Sequence, residues 1–154
     1  NIFDATAGLL SDSMIFLSLG HNVVAVEQSK IIYLLLEDAI RRAKDSIPFL
    51  SNLKLINGNS FDVIKQINTL FDVIYLDPMY PTLKHNIKKS GELNAIRSIL
   101  EIENLSNDED SMINDFMRLD YKKIILKRPL KSKKIYSNIN YQVKGRTTRF
   151  DIYL

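Results

Sequence analysis

Short apolar runs alternate along the chain with longer stretches in which apolar residues recur every three or four positions. Each short run stops on a small or polar residue. Residues 2–3 close a first strand and lead into the small-residue turn Asp4-Ala5-Thr6-Ala7-Gly8. Ser11 or Asp12 can cap a helix that runs to about Leu19, where Gly20 stops it. Residues 22–26 are β-branched enough for a second strand, closed by Glu27. Ser29 caps an amphipathic helix to about Lys44, with Ile32, Leu35, Leu36, Ala39, Ile40 and Ala43 as its inner stripe, and Pro48 forbids its continuation. A third strand over 53–56 ends in Asn57-Gly58-Asn59-Ser60, residues 61–67 are helical, and 71–76 form a fourth strand. Helical patterns at 93 to about 100 and 111 to about 119 are joined by the acidic link Asp108-Glu109-Asp110. Residues 124–126 make a fifth strand, and 141–144 and 149–153 alternate around Gly145 as a terminal antiparallel pair.

Strand and helix alternate throughout, which predicts an α/β domain with a mostly parallel sheet, helices on both faces and an antiparallel hairpin at the end. The 154 residues fit one domain, 1–154, large enough to bury a core. Hydrophobic content of 45% and charged content of 25% are ordinary for a globular protein. The longest apolar run, 31–36, is too short to span a bilayer, no signal-peptide pattern opens the chain, and there is no Cys. A cytoplasmic protein without membrane contact is expected. His21 and His85 are far apart with no ligand-spaced cluster, so no metal is expected.

Four strand ends carry polar groups suited to an adenosine-bearing ligand, and in such sheets ligands sit at the carboxyl ends of strands. The turn from Asp4 to Gly8 lets backbone approach closely, and free N–H groups around Ser11 and Asp12 can bind a carboxylate as well as cap a helix. Glu27 is placed to accept from two ribose hydroxyls, though an exposed Glu after a strand is common; Gln28 adds an amide edge. Asn59 and Ser60 can address an adenine edge or simply form a turn. A dinucleotide site is disfavoured, because Leu9 and Leu10 follow Gly8 where a Gly-x-Gly-x-x-Gly fingerprint needs glycines.

The fourth strand ends in Asp77-Pro78-Met79-Tyr80-Pro81, a carboxylate beside a Pro-stiffened aromatic. Asp-Pro-x-Tyr has the form of the motif with which amino-group methyltransferases hold an exocyclic amine. Tyr80 either stacks on the substrate base or packs over the turn.

Net charge is a modest +3, but the cations are grouped: Lys84, Lys88 and Lys89 after the motif, Lys127, Arg128, Lys131, Lys133 and Lys134 after the fifth strand, and Lys144, Arg146 and Arg149 near the end. Solvated surface and phosphate contact both account for such groups; their position after strand ends favours phosphate.

Together these motifs resemble the Rossmann-like class I S-adenosylmethionine-dependent methyltransferases. More closely, the chain is similar to the RsmJ (YhiQ-like) family, which methylates the N2 amine of a guanosine in small-subunit ribosomal RNA. The resemblance runs through Asp4-Ala5-Thr6-Ala7-Gly8-Leu9, Ser18-Leu19-Gly20, Leu35-Leu36-Glu37-Asp38, Tyr75-Leu76-Asp77-Pro78-Met79-Tyr80-Pro81, Lys127-Arg128-Pro129 and Arg149-Phe150-Asp151-Ile152-Tyr153. It implies S-adenosyl-L-methionine as cofactor, held by Asp4, Gly8, Ser11, Asp12, Glu27, Gln28, Asn59, Ser60 and Asp77. It implies Asp77, Pro78 and Tyr80 as catalytic residues, and small-subunit ribosomal RNA or the small ribosomal subunit as partner, met by Lys84, Lys88, Lys89 and Arg128. The family's usual form has a further N-terminal region, which this chain is expected to lack.

Leu10 stands where the family usually has Gly, and Ser11 and Gln28 stand where it tends to have Arg, so the turn is reshaped and the pocket less cationic. Two rivals stay open: an N-methyltransferase for adenine or a protein amide, and a cofactor-pocket domain that only binds RNA.

Overall fold

The computed structural model describes residues 1–78, 91–105, 108–133 and 138–154, with backbone alone at 92 and 93. The expectations placed on Tyr80, Lys84, Lys88, Lys89 and Lys134 lie outside the described residues. The elements run β1 (Ile2–Asp4), α1 (Ser11–Ser18), β2 (Val23–Glu27), α2 (Lys30–Ala43), a 3-10 segment Pro48–Asn52, β3 (Leu53–Asn57), α3 (Ser60–Gln66), β4 (Val73–Leu76), α4 (Gly91–Ile102), α5 (Glu109–Met117), β5 (Ile124–Pro129), β6 (Tyr141–Lys144) and β7 (Thr148–Tyr153).

One seven-stranded sheet has the order β3-β2-β1-β4-β5-β7-β6. The first five strands are parallel, and β7 inserts antiparallel between β5 and β6. Strand order reverses between β1 and β4, and a reversal of this kind opens a crevice at the strands' carboxyl ends.

Alternate residues of each central strand feed two cores, one on each sheet face. Phe3, Val26, Ile74 and Leu76 meet Phe116 and Ile113 of α5 on one side. Ile2, Val23, Ala25 and Tyr75 meet Leu17 of α1 and Ile32 and Leu36 of α2 on the other. A large apolar side chain buried this fully contributes about 1.5–3 kcal/mol each. The period-two alternation therefore fixes which residues of each strand can reach the crevice edge.

Four sequence expectations are corrected. The N-cap of α1 is Leu10, in the left-handed region at φ 62°, with no side-chain cap; Ser11 and Asp12 are the first helical residues. Asp12 does not cap because its carboxylate is bound elsewhere, by Tyr75 and Lys127. On α2, which Ser29 caps as expected, Leu35 faces outward at 58% exposure, because the inner face is centred near Leu36 and Leu35 lies about 100° round the helix from it. The acidic stretch 108–110 is the start of α5 rather than a link: the Asp108 carboxylate accepts from the Ser111 N–H. Finally, β5 continues through Pro129, because β7 pairs with it residue for residue from Ile124↔Tyr153 to Pro129↔Thr148.

Candidate active site

The carboxyl ends of β1, β2, β3 and β4 share a cavity of about 460 Å³, within the usual range for small-molecule sites. Its near wall carries Thr6, Gly8, Glu27, Asn59, Ser60 and Asp77, and its far wall comes from α4 and α5, through Ile96, Leu100, Glu109 and Met112. Gln28 and Pro78 also line it. Among the described residues the expected site positions thus fall into two groups, those in the cavity wall and those behind or beside it.

Glu27 ends β2 almost fully buried. Its Oε1 accepts from the Ser29 N–H at 2.8 Å. Burial pushes its carboxyl up to about 7, against hydrogen bonds from the Ser29 and Gly8 amides. Gly8 brings that amide close because it sits at φ 48°, where a side chain is disfavoured. The Asn59 Oδ1 caps α3, accepting from Phe61 N–H at 3.0 Å and Asp62 N–H at 3.3 Å. Its oxygen is thereby engaged by the helix rather than left for the expected adenine amine, while Asn59 and Ser60 both line the cavity.

Asp4 and Ser11 are not in the wall. Asp4 lies beneath the turn at 2% exposure, its Oδ1 accepting from Thr6 N–H and its Oδ2 from Ser13 Oγ at 2.6 Å. Burial pushes it up to about 6, partly offset by those two bonds. Ser11 is exposed on the first turn of α1. With no side chain capping α1, the N–H groups of that turn are open to an anion.

Beside the cavity, three residues distant in sequence form one charged unit. Lys127 Nζ lies 2.8 Å from Asp12 Oδ2 and 2.9 Å from Asp77 Oδ2. The Tyr75 hydroxyl also donates to Asp12 Oδ2, at 2.7 Å, and the Asp77 N–H donates to Thr6 Oγ1 at 2.7 Å. Burial raises the Asp77 carboxyl, and Lys127 pulls it back down. Burial alone would lower Lys127, but its bonds to Asp12 and Asp77 outweigh that and hold it above its usual value, so the ammonium stays charged. Burial and the Asp12 carboxylate together keep the Tyr75 phenol protonated as a donor.

Lys127, Tyr75 and Thr6 were not singled out for this site from sequence. The available signal was alternation: carried past Leu126, it puts Lys127 on a strand beside Asp77. Glu109 was also missed; it is pushed up to about 7 by burial first, then by Asp110, with Arg128 opposing. Arg128 corrects an expectation. It is 4% exposed, directed into the sheet face that carries Leu126, so it offers RNA no surface. Arg149 is likewise buried, its Nε on Asp151 Oδ1 at 2.9 Å. Among the described residues no cluster of acidic or His side chains is arranged to hold a metal.

The sheet order with its reversed final hairpin, and an acidic cavity at the carboxyl ends beside the β1/β4 switch point, define a class: the Rossmann-like class I methyltransferases. The family described as "Putative SAM-dependent methyltransferase" matches residues 1–154, and the chain belongs to it. It is 33% identical over 157 residues to ribosomal RNA small subunit methyltransferase J of Desulfotalea psychrophila, covering 99% of this chain and 59% of that protein. It is 33% identical over 158 residues to the protein of the same name from Francisella philomiragia, covering 99% and 65%. The chain thus spans about three-fifths of the length of these curated relatives. Among solved structures, a SAM-dependent methyltransferase from Neisseria gonorrhoeae superposes with a TM-score of 0.73 at 28% identity, over 100% of this chain and 64% of the other. The N-terminal domain of human METTL16 in complex with SAH shares the fold at a TM-score of 0.55 and 15% identity, over 98% and 59%.

The residues present suit the family's cofactor. A buried carboxylate (Glu27) is suited to accept from vicinal hydroxyls, a turn with one left-handed glycine leaves room for a close approach, and unspent helix N–H groups are suited to a carboxylate. The Asp12–Lys127–Asp77 unit carries two carboxylates against one ammonium, an excess that favours a neighbouring cation.

Proposed function

We propose that this domain transfers a methyl group from S-adenosylmethionine to the exocyclic N2 amine of a guanosine in small-subunit ribosomal RNA, acting in the cytoplasm. One observation carries the reading. Asp77, with Pro78 behind it, opens into the same cavity as Glu27, so an amine acceptor and a ribose acceptor face one space. The names of the curated relatives supply the substrate class.

Bound S-adenosylmethionine supplies an electrophilic methyl on a good leaving group. The chain's residues do the rest by placement. Glu27 accepts from the ribose hydroxyls, the wall at Asn59 and Ser60 holds the adenine, and the first turn of α1 at Ser11 and Asp12 receives the carboxylate. The lone pair of guanine N2 is delocalised into the ring. An Asp77 carboxylate oxygen and the Pro78 carbonyl accept the two N–H bonds, which favours a pyramidal nitrogen with its lone pair aimed along the transfer axis. Lys127 and Thr6 fix the orientation of Asp77 before the substrate arrives. The alkylated amine is acidic and gives its proton to Asp77 or water. By its place in the motif, Tyr80 stacks on the unstacked base, a contact worth about 1–3 kcal/mol.

The test is nucleoside analysis. Small-subunit RNA incubated with the protein and methyl-labelled cofactor yields labelled N2-methylguanosine. Label in an adenosine, or in protein alone, overturns the proposal.

A further inference from the structure

The end of the sheet beyond Asp77 is built differently from the cofactor side. Because β5 runs parallel to β4, the loop after β5 emerges at the same end as Asp77. The register Pro129↔Thr148 and Lys144↔Arg149 brings the β6–β7 turn to that end too. Buried Arg149 ties the two together. Its Nη1 donates to the carbonyls of Leu130 at 3.1 Å and Ser132 at 2.8 Å, and the Leu130 N–H donates to Thr147 O at 2.8 Å. An interior guanidinium thus shapes an exterior rim.

On that rim Lys131, Lys133, Lys144 and Arg146 are all exposed. Among the described residues none of the four is in an ion pair. Strands lie about 4.8 Å apart, so β7 and β6 stand roughly 10 and 14 Å from the line of β4. The cavity itself is lined by acidic residues, Asp62, Asp108, Glu109 and Asp115 among them. Cations thus gather on the rim while carboxylates line the cavity, a division that the net charge of +3 conceals.

We propose that the β5–β7–β6 end of the sheet is where the RNA backbone docks, its phosphates on Lys131, Lys133, Lys144 and Arg146. The target nucleotide then turns inward past Lys127 to Asp77, and the acidic lining repels the strand from the cofactor side. This rests on RNA being the substrate. Phosphate contact by such a rim is independent of sequence and falls steeply with salt.

The test is the anisotropy of a fluorescein-labelled single-stranded RNA of mixed sequence, titrated with the full chain over a salt series. The variants are K131Q/K133Q/K144Q/R146Q and a control, K44Q/K54Q, whose lysines lie at the C-cap of α2 and on edge strand β3. The fourfold variant binds at least about ten-fold more weakly, with a log-log salt slope shallower by about 3, at about 0.7 per lost contact. Its melting temperature and its calorimetric affinity for S-adenosylhomocysteine are unchanged, and the control binds RNA as the wild type does. The proposal is overturned if the fourfold variant keeps wild-type affinity and slope, if the control loses as much, or if the wild type shows no salt-dependent binding. A wild type that binds through this rim yet forms no N2-methylguanosine instead sinks the assigned reaction and leaves the surface standing.

Discussion

Replacing Lys127 by Met removes the ammonium that lies 2.9 Å from Asp77 and 2.8 Å from Asp12. Two unit charges at about 3 Å attract by about 6 kcal/mol at an effective dielectric of ~20. Lys127 is 24% exposed and Asp77 33%, and Lys127 divides itself between two carboxylates, so solvent screening and sharing reduce this to about 2–3 kcal/mol. Among the described residues, the groups facing Asp77 are Lys127 on β5, Asp12 on α1, Asp4 on β1 and Tyr75 on β4, with Lys127 the one cation of these. Without it, burial and the neighbouring carboxylates raise Asp77 unopposed. A raised carboxyl is protonated at higher pH, and a protonated Asp77 oxygen donates where the amine needs an acceptor. The acid limb of the pH–rate profile therefore moves up by about 1.5–2 units, since 1.36 kcal/mol is one unit. K127M loses rate at a higher pH than the wild type and regains it as pH rises further, whereas K127R keeps the charge and the wild-type limb. The assay is turnover of methyl transfer against pH at saturating cofactor, with calorimetry showing that S-adenosylhomocysteine still binds. An unshifted limb in K127M refutes the reasoning.

Glu27→Ala weakens S-adenosylhomocysteine about 10- to 100-fold by calorimetry, the loss of charge-assisted hydrogen bonds worth about 1.5–3 kcal/mol; undiminished affinity removes Glu27 from the ribose. Asp4 reaches about 6 in the folded state from an ordinary 3.8, so the fold binds its proton more tightly than the unfolded chain does. Its contribution is greatest below pH 4 and is lost as pH rises to about 6, by about 3 kcal/mol; Glu27 extends the fall to about 7. Urea melts over that window show the decline, and Asp4→Asn flattens the Asp4 part; equal slopes contradict the assignment. Leu10→Gly relieves about 1 kcal/mol of left-handed strain but deletes a side chain only 4% exposed, so the variant is less stable by about 2–4 kcal/mol in the same melts. A more stable variant shows that strain dominates at the turn.

Apolar periodicity made the strand–helix order, the Ser29 cap and the terminal hairpin legible, because each is set by residues within a turn or two of one another. What escaped depended on partners far along the chain. Lys127 and Arg128 look like loop residues after Leu126, since nothing local neutralises a charge inside a strand. Their neighbours come from tertiary packing: Asp12 lies 115 residues from Lys127, and Glu109 faces Arg128 from α5. Arg149 escaped for the same reason, being enclosed by carbonyls of the loop after β5. Leu10 kept a buried side chain at a backbone position that suits glycine, so local propensity gave way to packing. That Glu27 and Asp77 line one cavity was legible because the strand-end rule needs only the strand boundary.

The proposed reaction depends on one group, a carboxylate at the tip of β4 placed to grip a guanine amine. Mass spectrometry of nucleosides from small-subunit RNA, treated with methyl-labelled cofactor and either wild type or Asp77→Ala, addresses it directly. The account predicts labelled N2-methylguanosine with the wild type and none with the variant, while the variant still binds S-adenosylhomocysteine. Comparable N2-methylguanosine from both proteins would contradict it.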